Sequence, residues 1–221
     1  TLLSTKNPSA ANLKILKKYI QNASAIFLTG GDQYRYYSYW TNSLLLKELQ
    51  DKINSGVFLA GSSAGLAVLG EYYFSAKNGT VYSDSALRNP RSNKIQIGHN
   101  LIRNSLLRNI ITDSHFWNRN REGRLLAFIK RVDELFYLKN ITGVGVDEET
   151  SLIIEPNKIL TTGKGSVYIY QYSGESYKGL NINNVKKWKL LPGEMFNSLY
   201  QIDKGHSLIN VVNGEIVEDH L

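Results

Sequence analysis

The chain contains no cysteine among its 221 residues, and only four histidines, four prolines and one methionine. The absence of cysteine excludes a disulfide framework, a thiolate nucleophile and a zinc site with cysteine ligands. The scarcity of histidine leaves a short set of candidates for a general base, namely His99, His115, His206 and His220. Any acid–base chemistry that depends on an imidazole must therefore use one of these four.

Long apolar runs are also absent. No stretch approaches the roughly 18 residues that a membrane-spanning helix needs, so we expect no membrane partner. The first residues, Thr1–Lys6, lack the apolar segment of a signal peptide. A processed chain would look the same, so a bacterial cytoplasmic location and a secreted one both remain open.

Positive charge is in excess, with a formal net charge of +7 and an isoelectric point near 9.4. The basic residues are scattered in pairs such as Lys17-Lys18 and Lys186-Lys187 rather than gathered along one helix. A nucleic-acid interface normally shows a basic stripe or patch, so we expect no nucleic-acid partner. A solvated basic surface, or a site that holds carboxylates, accounts better for the excess.

Alternating apolar segments predict an α/β fold. We expect helices over 11–22, with Leu13 on the apolar face, and over 43–54, 66–71 and 123–137. We expect buried strands over 25–29, 57–60, 110–112 and 142–146, and strands with a period of two over 152–154, 158–160 and 166–170. Residues 75–104 and 113–122 read as irregular loops. The order predicts a doubly wound, mostly parallel sheet followed by antiparallel strands, within a single domain spanning 1–221.

The most informative motif is Gly61-Ser62-Ser63-Ala64-Gly65, which lies between an apolar strand and a helical pattern. A G-x-S-x-G motif in that context is typical of the nucleophile elbow of serine hydrolases. The turn would expose the hydroxyl of Ser63 at the end of the sheet. The alternative is a tight turn whose small residues serve only close packing.

A serine nucleophile needs a base and an acid that orients the base. Sites in open α/β sheets gather at the carboxyl ends of the strands, which favours His115, just after the strand at 110–112. Either Asp147 or Glu148, directly after the strand at 142–146, could orient its imidazole. The residues alone do not decide between the two carboxylates.

Two further features favour a catalytic site. The backbone N–H groups of Gly31 and Ala64 could together form an oxyanion hole, although Gly31 would also suit an ordinary turn. Arg119, Arg121 and Arg124 are crowded just before and within the start of a predicted helix, where cations are disfavoured by the helix dipole. Such a cluster indicates recognition of carboxylates through paired N–H donors.

Four motifs, in order along residues 20–155, resemble the cyanophycinase family of serine peptidases, which is related to the aspartyl dipeptidase peptidase E. They are Phe27–Gln33, Gly61–Gly65, Thr112–Phe116 with its following arginines, and Gly143–Glu148. The resemblance implies a fold like that of class I glutamine amidotransferases and no metal or organic cofactor. It also implies that this chain lacks one or more N-terminal strands of the family.

The resemblance further implies roles for particular residues. Ser63 would be the nucleophile, His115 the base and Glu148 the orienting acid. The implied substrate contacts are Gln33, Asp113, Ser114, Arg119, Arg121 and Arg124. The implied substrate is cyanophycin, a poly-aspartate with arginine on each side-chain carboxyl, cleaved to β-aspartyl-arginine dipeptides.

Several alternatives remain open at this stage. The substrate's arginyl groups would need acceptors, for which Asp113 and Glu149 are the candidates. A dipeptidase acting on isoaspartyl or α-aspartyl peptides, and a non-catalytic binding module, are the competing functions. A homodimer, and association with a missing N-terminal segment, are the partners left open beside the peptide substrate.

Overall fold

The computed structural model describes residue 9, residues 14–174 and residues 181–220. Its helices are α1 (Ile15–Gln21), α2 (Gln33–Trp40), α3 (Leu44–Asn54), α4 (Ala64–Ala67), α5 (Ser83–Arg88) and α6 (Glu122–Phe136). Its strands are β1 (Ala25–Leu28), β2 (Phe58–Gly61), β3 (Tyr72–Phe74), β4 (Ile97–His99), β5 (Ile110–Ser114), β6 (Ile141–Val146), β7 (Thr150–Glu155), β8 (Lys158–Gly163), β9 (Val167–Tyr172), β10 (Ile182–Leu190), β11 (Met195–Phe196), β12 (Ser207–Val212) and β13 (Glu215–His220). The predicted helical residue Leu13 and the segment Thr1–Lys6 lie outside the described residues.

The predicted α/β class is confirmed. The largest sheet has eight strands in the order β13-β12-β10-β9-β6-β5-β3-β4, and its centre is the parallel set β6-β5-β3. The elbow strand β2 pairs in parallel with β1 in a separate two-stranded sheet. The predicted antiparallel strands of the C-terminal part are also confirmed, since β9, β10, β12 and β13 extend the large sheet and β7, β8 and β11 form a third one.

The central sheet is covered on both faces, as buried parallel strands require. On one face α6 packs through Leu125, Phe128, Ile129 and Val132, which share a cluster with Ile111. On the other face Val144, Val146, Val167 and Ile169 join the apolar side chains that follow the elbow. The residues at the carboxyl ends of β5 and β6 are thus held from both faces of the sheet.

Local signals explain where the main helices begin and end. Ser43 caps α3 by accepting a hydrogen bond from the N–H of Leu46 at 3.2 Å, which satisfies a donor that the first turn leaves free. Asp32 caps α2 in the same way through the N–H of Tyr34, at 2.8 Å. Helix α6 ends at Tyr137, whose φ of +52° gives the left-handed cap that commonly stops a helix.

Four sequence-based assignments of secondary structure were wrong. The helix after the elbow has only four residues, Ala64–Ala67, and the chain then turns into β3. Residues 75–104, expected to be irregular, contain α5 and β4. Asp113 and Ser114, expected in a loop, are the last residues of β5. Helix α2 was not predicted at all, because its sequence QYRYYSYW is rich in aromatic residues of modest helix propensity.

Candidate active site

The turn that carries Ser63 has the strained geometry expected of a nucleophile elbow. Ser63 lies between β2 and α4 with φ +51° and ψ −116°. A Cβ on Gly65 would come within 2.1 Å of the carbonyl oxygen of Leu28, and one on Gly61 within 2.6 Å of the backbone of Gly65. Both glycines are therefore required by the close approach of backbone to backbone at this turn.

The turn after β1 lies against the elbow. A Cβ built on Gly30 would meet the Cβ of Ser63 at 3.2 Å, so the two turns are in contact. Gly31 has φ +134°, a conformation that favours glycine. Ala64 begins α4, so its N–H is one of those that the start of a helix leaves without an intrahelical partner. The two predicted oxyanion-hole residues therefore flank the Ser63 position.

Ser63, His115 and Glu148 form one continuous hydrogen-bonded chain. The Oγ of Ser63 is 2.8 Å from Nε2 of His115, and Nδ1 of His115 is 2.7 Å from Oε1 of Glu148. In this arrangement the carboxylate holds the tautomer in which Nε2 can accept the serine proton. Two of the other histidines have different neighbours: His99 contacts Glu71, and His206 packs beside the ring of Trp188.

Asp147, the second carboxylate that the sequence left open, faces other groups. Its Oδ1 accepts the N–H of Trp117 at 2.9 Å, and its Oδ2 accepts the N–H of Ser166 at 3.0 Å. Both oxygens are thus engaged by backbone donors. The contact with the imidazole is made by Glu148 alone of the two.

Asp113 and Arg124 form a buried ion pair beneath the site. Nε and Nη2 of Arg124 each lie 2.6 Å from an oxygen of Asp113, and the two side chains are 6% and 3% exposed. The guanidinium also lies 5.8 and 5.6 Å from the ring centroids of Phe74 and Phe128. We had expected substrate contacts from both residues, but their charged groups are already paired and shielded from solvent.

Arg121 connects that buried pair to the surface. Its Nη1 donates to the carbonyl oxygen of Ser114 at 2.7 Å and to Asp113 at 3.2 Å. Burial, together with the charges of Arg124 and Arg119, lowers the pKa of Arg121 to about 10, although Asp113 acts to raise it. Arg121 is therefore still protonated at neutral pH.

The remaining predicted contacts differ in exposure. Arg119 is 54% exposed, and its Nε is 3.7 Å from Oε1 of Glu148. Gln33 is half-buried and donates from Nε2 to the carbonyl oxygen of Phe74 at 3.0 Å. Ser114 is buried, with only 6% of its surface exposed, so its side chain is poorly placed to reach a substrate. Glu149 is exposed and forms an ion pair with Lys164.

One residue near the site was missed by the sequence reasoning. Asn118 accepts the backbone N–H of Glu148 at its Oδ1, at 3.2 Å. The residue lies three positions after His115, in a loop that we had described only as polar and charged. No sequence signal distinguishes this asparagine from the others nearby, because its partner lies 30 residues further along the chain.

Two features are absent from the described residues, namely a metal-binding cluster and a membrane-spanning helix. In residues 14–174 and 181–220, no three side chains of histidine, aspartate or glutamate come close enough together to hold a metal ion. No helix of this part of the chain is both long and apolar enough to cross a membrane.

The fold and the site together define the class of the protein as a serine-type hydrolase. The defining features are the elbow, the hydrogen-bonded serine, histidine and glutamate, and the α/β sheet that supports them. A family model described as "Peptidase family S51" matches residues 2–162. The chain belongs to peptidase family S51, and the resemblance read from its motifs is confirmed.

Curated relatives support the same assignment. The chain is 30% identical to a cyanophycinase of Geminocystis herdmanii, over 74% of this chain and 55% of the relative. It is 29% identical to a cyanophycinase of a Nostoc species, over 84% of this chain and 60% of the relative. It is 30% identical to one of Synechococcus elongatus, over 80% and 54%. The chain thus spans little more than half the length of the curated relatives it matches.

A solved structure shows the same fold. The crystal structure of a peptidase from an acI-B1 Actinobacterium matches with a TM-score of 0.56 and 19% sequence identity. The match covers 86% of this chain and 66% of that structure. At this level of identity the likeness supports the fold and carries no residue roles.

Proposed function

We propose that this chain carries the catalytic site of a serine exopeptidase that hydrolyses cyanophycin to β-aspartyl-arginine dipeptides. The observation that carries the proposal is the chain of short hydrogen bonds from Ser63 through His115 to Glu148. Membership of peptidase family S51 and the similarity to cyanophycinases support it.

The proposed reaction follows the acyl-enzyme route. Ser63 Oγ attacks the scissile carbonyl carbon while His115 Nε2 takes its proton, and Glu148 stabilises the imidazolium that forms. The N–H groups of Gly31 and Ala64 donate to the oxyanion. The tetrahedral intermediate collapses, the C–N bond breaks, and His115 protonates the departing amine. Water, deprotonated by His115, then releases the acyl group and restores Ser63.

Charge around the site suits a substrate that carries free α-carboxylates. Arg119 offers an exposed guanidinium beside Glu148, and Arg121 one on a side chain that is 16% exposed. Paired N–H donors of this kind recognise carboxylates well, and cyanophycin has a free α-carboxylate at its backbone C-terminus and on each arginine. In this proposal Arg124 does not touch the substrate. It holds Asp113, which with the carbonyl of Ser114 fixes the orientation of Arg121.

The substrate's arginyl groups need acceptors elsewhere. Asp113 was one candidate, but its oxygens already face two guanidiniums. We therefore propose Glu149, which is exposed and could exchange its partner Lys164 for a substrate guanidinium.

The test is release of β-aspartyl-arginine from purified cyanophycin, measured by chromatography, with a Ser63→Ala variant as the control. We expect release by the unmodified protein and none by the variant. A panel of isoaspartyl and α-aspartyl dipeptides, assayed in parallel, separates the competing dipeptidase function. Cleavage of these dipeptides with an untouched polymer would refute cyanophycin as the substrate but keep the serine chemistry. Cleavage of neither would favour a non-catalytic module.

A further inference from the structure

Two loops that come from different strands hold the candidate triad together. The base loop, residues 115–121, follows β5 and carries His115. The acid turn, residues 147–149, follows β6 and carries Glu148. The His115 and Glu148 side chains are 23% and 42% exposed, so core packing alone does not fix their contact.

Each loop is held by a side chain of the other. Asp147 of the acid turn accepts the backbone N–H of Trp117 in the base loop, at 2.9 Å. Asn118 of the base loop accepts the backbone N–H of Glu148 in the acid turn, at 3.2 Å. The two bonds are reciprocal. One reaches the backbone of Trp117, two residues after His115, and the other reaches the backbone of Glu148 itself.

A third bond anchors the pair of loops to the sheet. The second oxygen of Asp147 accepts the N–H of Ser166, at 3.0 Å, directly before β9. Gly165 permits this approach, since a Cβ there would meet the Cβ of Asp147 at 2.7 Å. A carboxylate that accepts two backbone N–H groups is a strong tether, because charge-assisted hydrogen bonds are about twice as strong as neutral ones.

We propose that Asp147 and Asn118 are positioning residues, whose reciprocal backbone hydrogen bonds set the register of His115 against Glu148. This inference rests on the proposed function, because it assumes that Ser63, His115 and Glu148 act as one unit. Removing either bond leaves the three reacting side chains chemically intact, but the imidazole is held less firmly against Glu148. A misplacement of about 1 Å in a catalytic group can cost about 100-fold in rate.

The experiment uses a fluorophosphonate probe, which reports on an activated serine without knowledge of the natural substrate. Ser63 Oγ forms a bond to phosphorus, the P–F bond breaks, fluoride leaves, and the serine proton passes to His115. The variants are Asp147→Ala and Asn118→Ala. Lys164→Gln is the matched control, because Lys164 lies beside the acid turn, is 79% exposed and pairs with Glu149 rather than with a residue of the triad.

We expect the maximal labelling rate to fall about 100-fold in both alanine variants. The probe concentration that gives half of that maximal rate should stay unchanged. Lys164→Gln should match the unmodified protein. A Glu148→Gln variant should lose no further rate when Asp147→Ala is added, since a positioning residue acts only through its target. Asn118 is exposed, so its variant decides the matter if Asp147→Ala does not fold.

Other outcomes would overturn the inference. Labelling at the unmodified rate in both alanine variants would remove any positioning role. An equal further loss when Asp147→Ala is added to Glu148→Gln would mean a general structural role. If Ser63→Ala labels as fast as the unmodified protein, or if the unmodified protein does not label, the proposed function itself fails. If Ser63→Ala is inert and the loop variants are fully reactive, only the positioning inference fails.

Discussion

Replacing Arg124 by methionine should destabilise the protein without acting on the substrate directly. Methionine is similar in length but removes the charge that neutralises Asp113. The carboxylate of Asp113 is 3% exposed and would keep Arg121, at 3.2 Å, and the N–H of Ser114, at 2.9 Å. Breaking a buried ion pair from one side costs about 3–5 kcal/mol, because the remaining charge is left without full compensation.

The loss is large compared with the total stability of about 5–15 kcal/mol that a domain has. For a chain of this size, 1 kcal/mol corresponds to roughly 2–4 °C in the midpoint of thermal unfolding. A loss near 4 kcal/mol therefore lowers that midpoint by roughly 8–16 °C. Equilibrium unfolding in urea measures the free energy, and a thermal scan checks it independently.

The matched comparison is Arg119→Met, which removes an exposed guanidinium from the base loop that leads into α6. Its stability should stay within about 0.5 kcal/mol of the unmodified protein, as expected for a surface substitution. Adding Asp113→Asn to Arg124→Met should recover part of the loss, because both charges are then gone. A loss below about 1 kcal/mol in Arg124→Met, combined with a raised KM, would refute this reasoning and return Arg124 to the substrate site.

Two further predictions concern Arg121 and Glu134. Arg121→Ala should lower kcat/KM for cyanophycin by a factor that corresponds to about 1–3 kcal/mol of lost transition-state stabilisation, the cost of a charged hydrogen bond left unmade. Unchanged kinetics would remove Arg121 from the site. Burial acts to raise the pKa of Glu134, but the hydrogen bond and charge of Arg91, with Lys130, outweigh it, so the net pKa is lowered. Its ionised form therefore stabilises the fold above the ordinary carboxyl pKa of 4.5, and this contribution is lost as the pH falls below that value. Glu134→Gln should thus cost about 1 kcal/mol in urea unfolding at neutral pH and progressively less as the pH falls below 4.5, and a loss that does not change with pH would contradict the assignment.

Part of the fold could be read from the sequence because local chemistry determines it. The glycines at 61 and 65 mark a turn where a side chain would clash with backbone, whatever the rest of the molecule does. The apolar periodicity of residues 123–137 matches α6 within one residue at each end, because one face of that helix packs on the sheet. Signals of this kind are strong over short windows.

Other parts depend on contacts that no short window contains. Helix α2 is rich in aromatic residues and forms because Tyr36 and Trp40 are buried in the cluster beside β1. The sequence placed three arginines in one cluster, but their accessibility differs according to which of them faces Asp113.

The choice between the two adjacent carboxylates needed the structure as well. Asp147 and Glu148 are equivalent by position, and only the backbone donors of Trp117 and Ser166 reveal why Asp147 turns away from the imidazole.

The most direct test of the central claim is to map the residue that a fluorophosphonate modifies. Mass spectrometry after trypsin cleavage would place the label in the peptide 53–77, which contains Ser63 between Lys52 and Lys77. We expect a single label on Ser63 that is absent from Ser63→Ala and strongly reduced in His115→Ala. A label on another serine, or equal labelling after His115→Ala, would contradict the assignment of Ser63 as a nucleophile activated by His115.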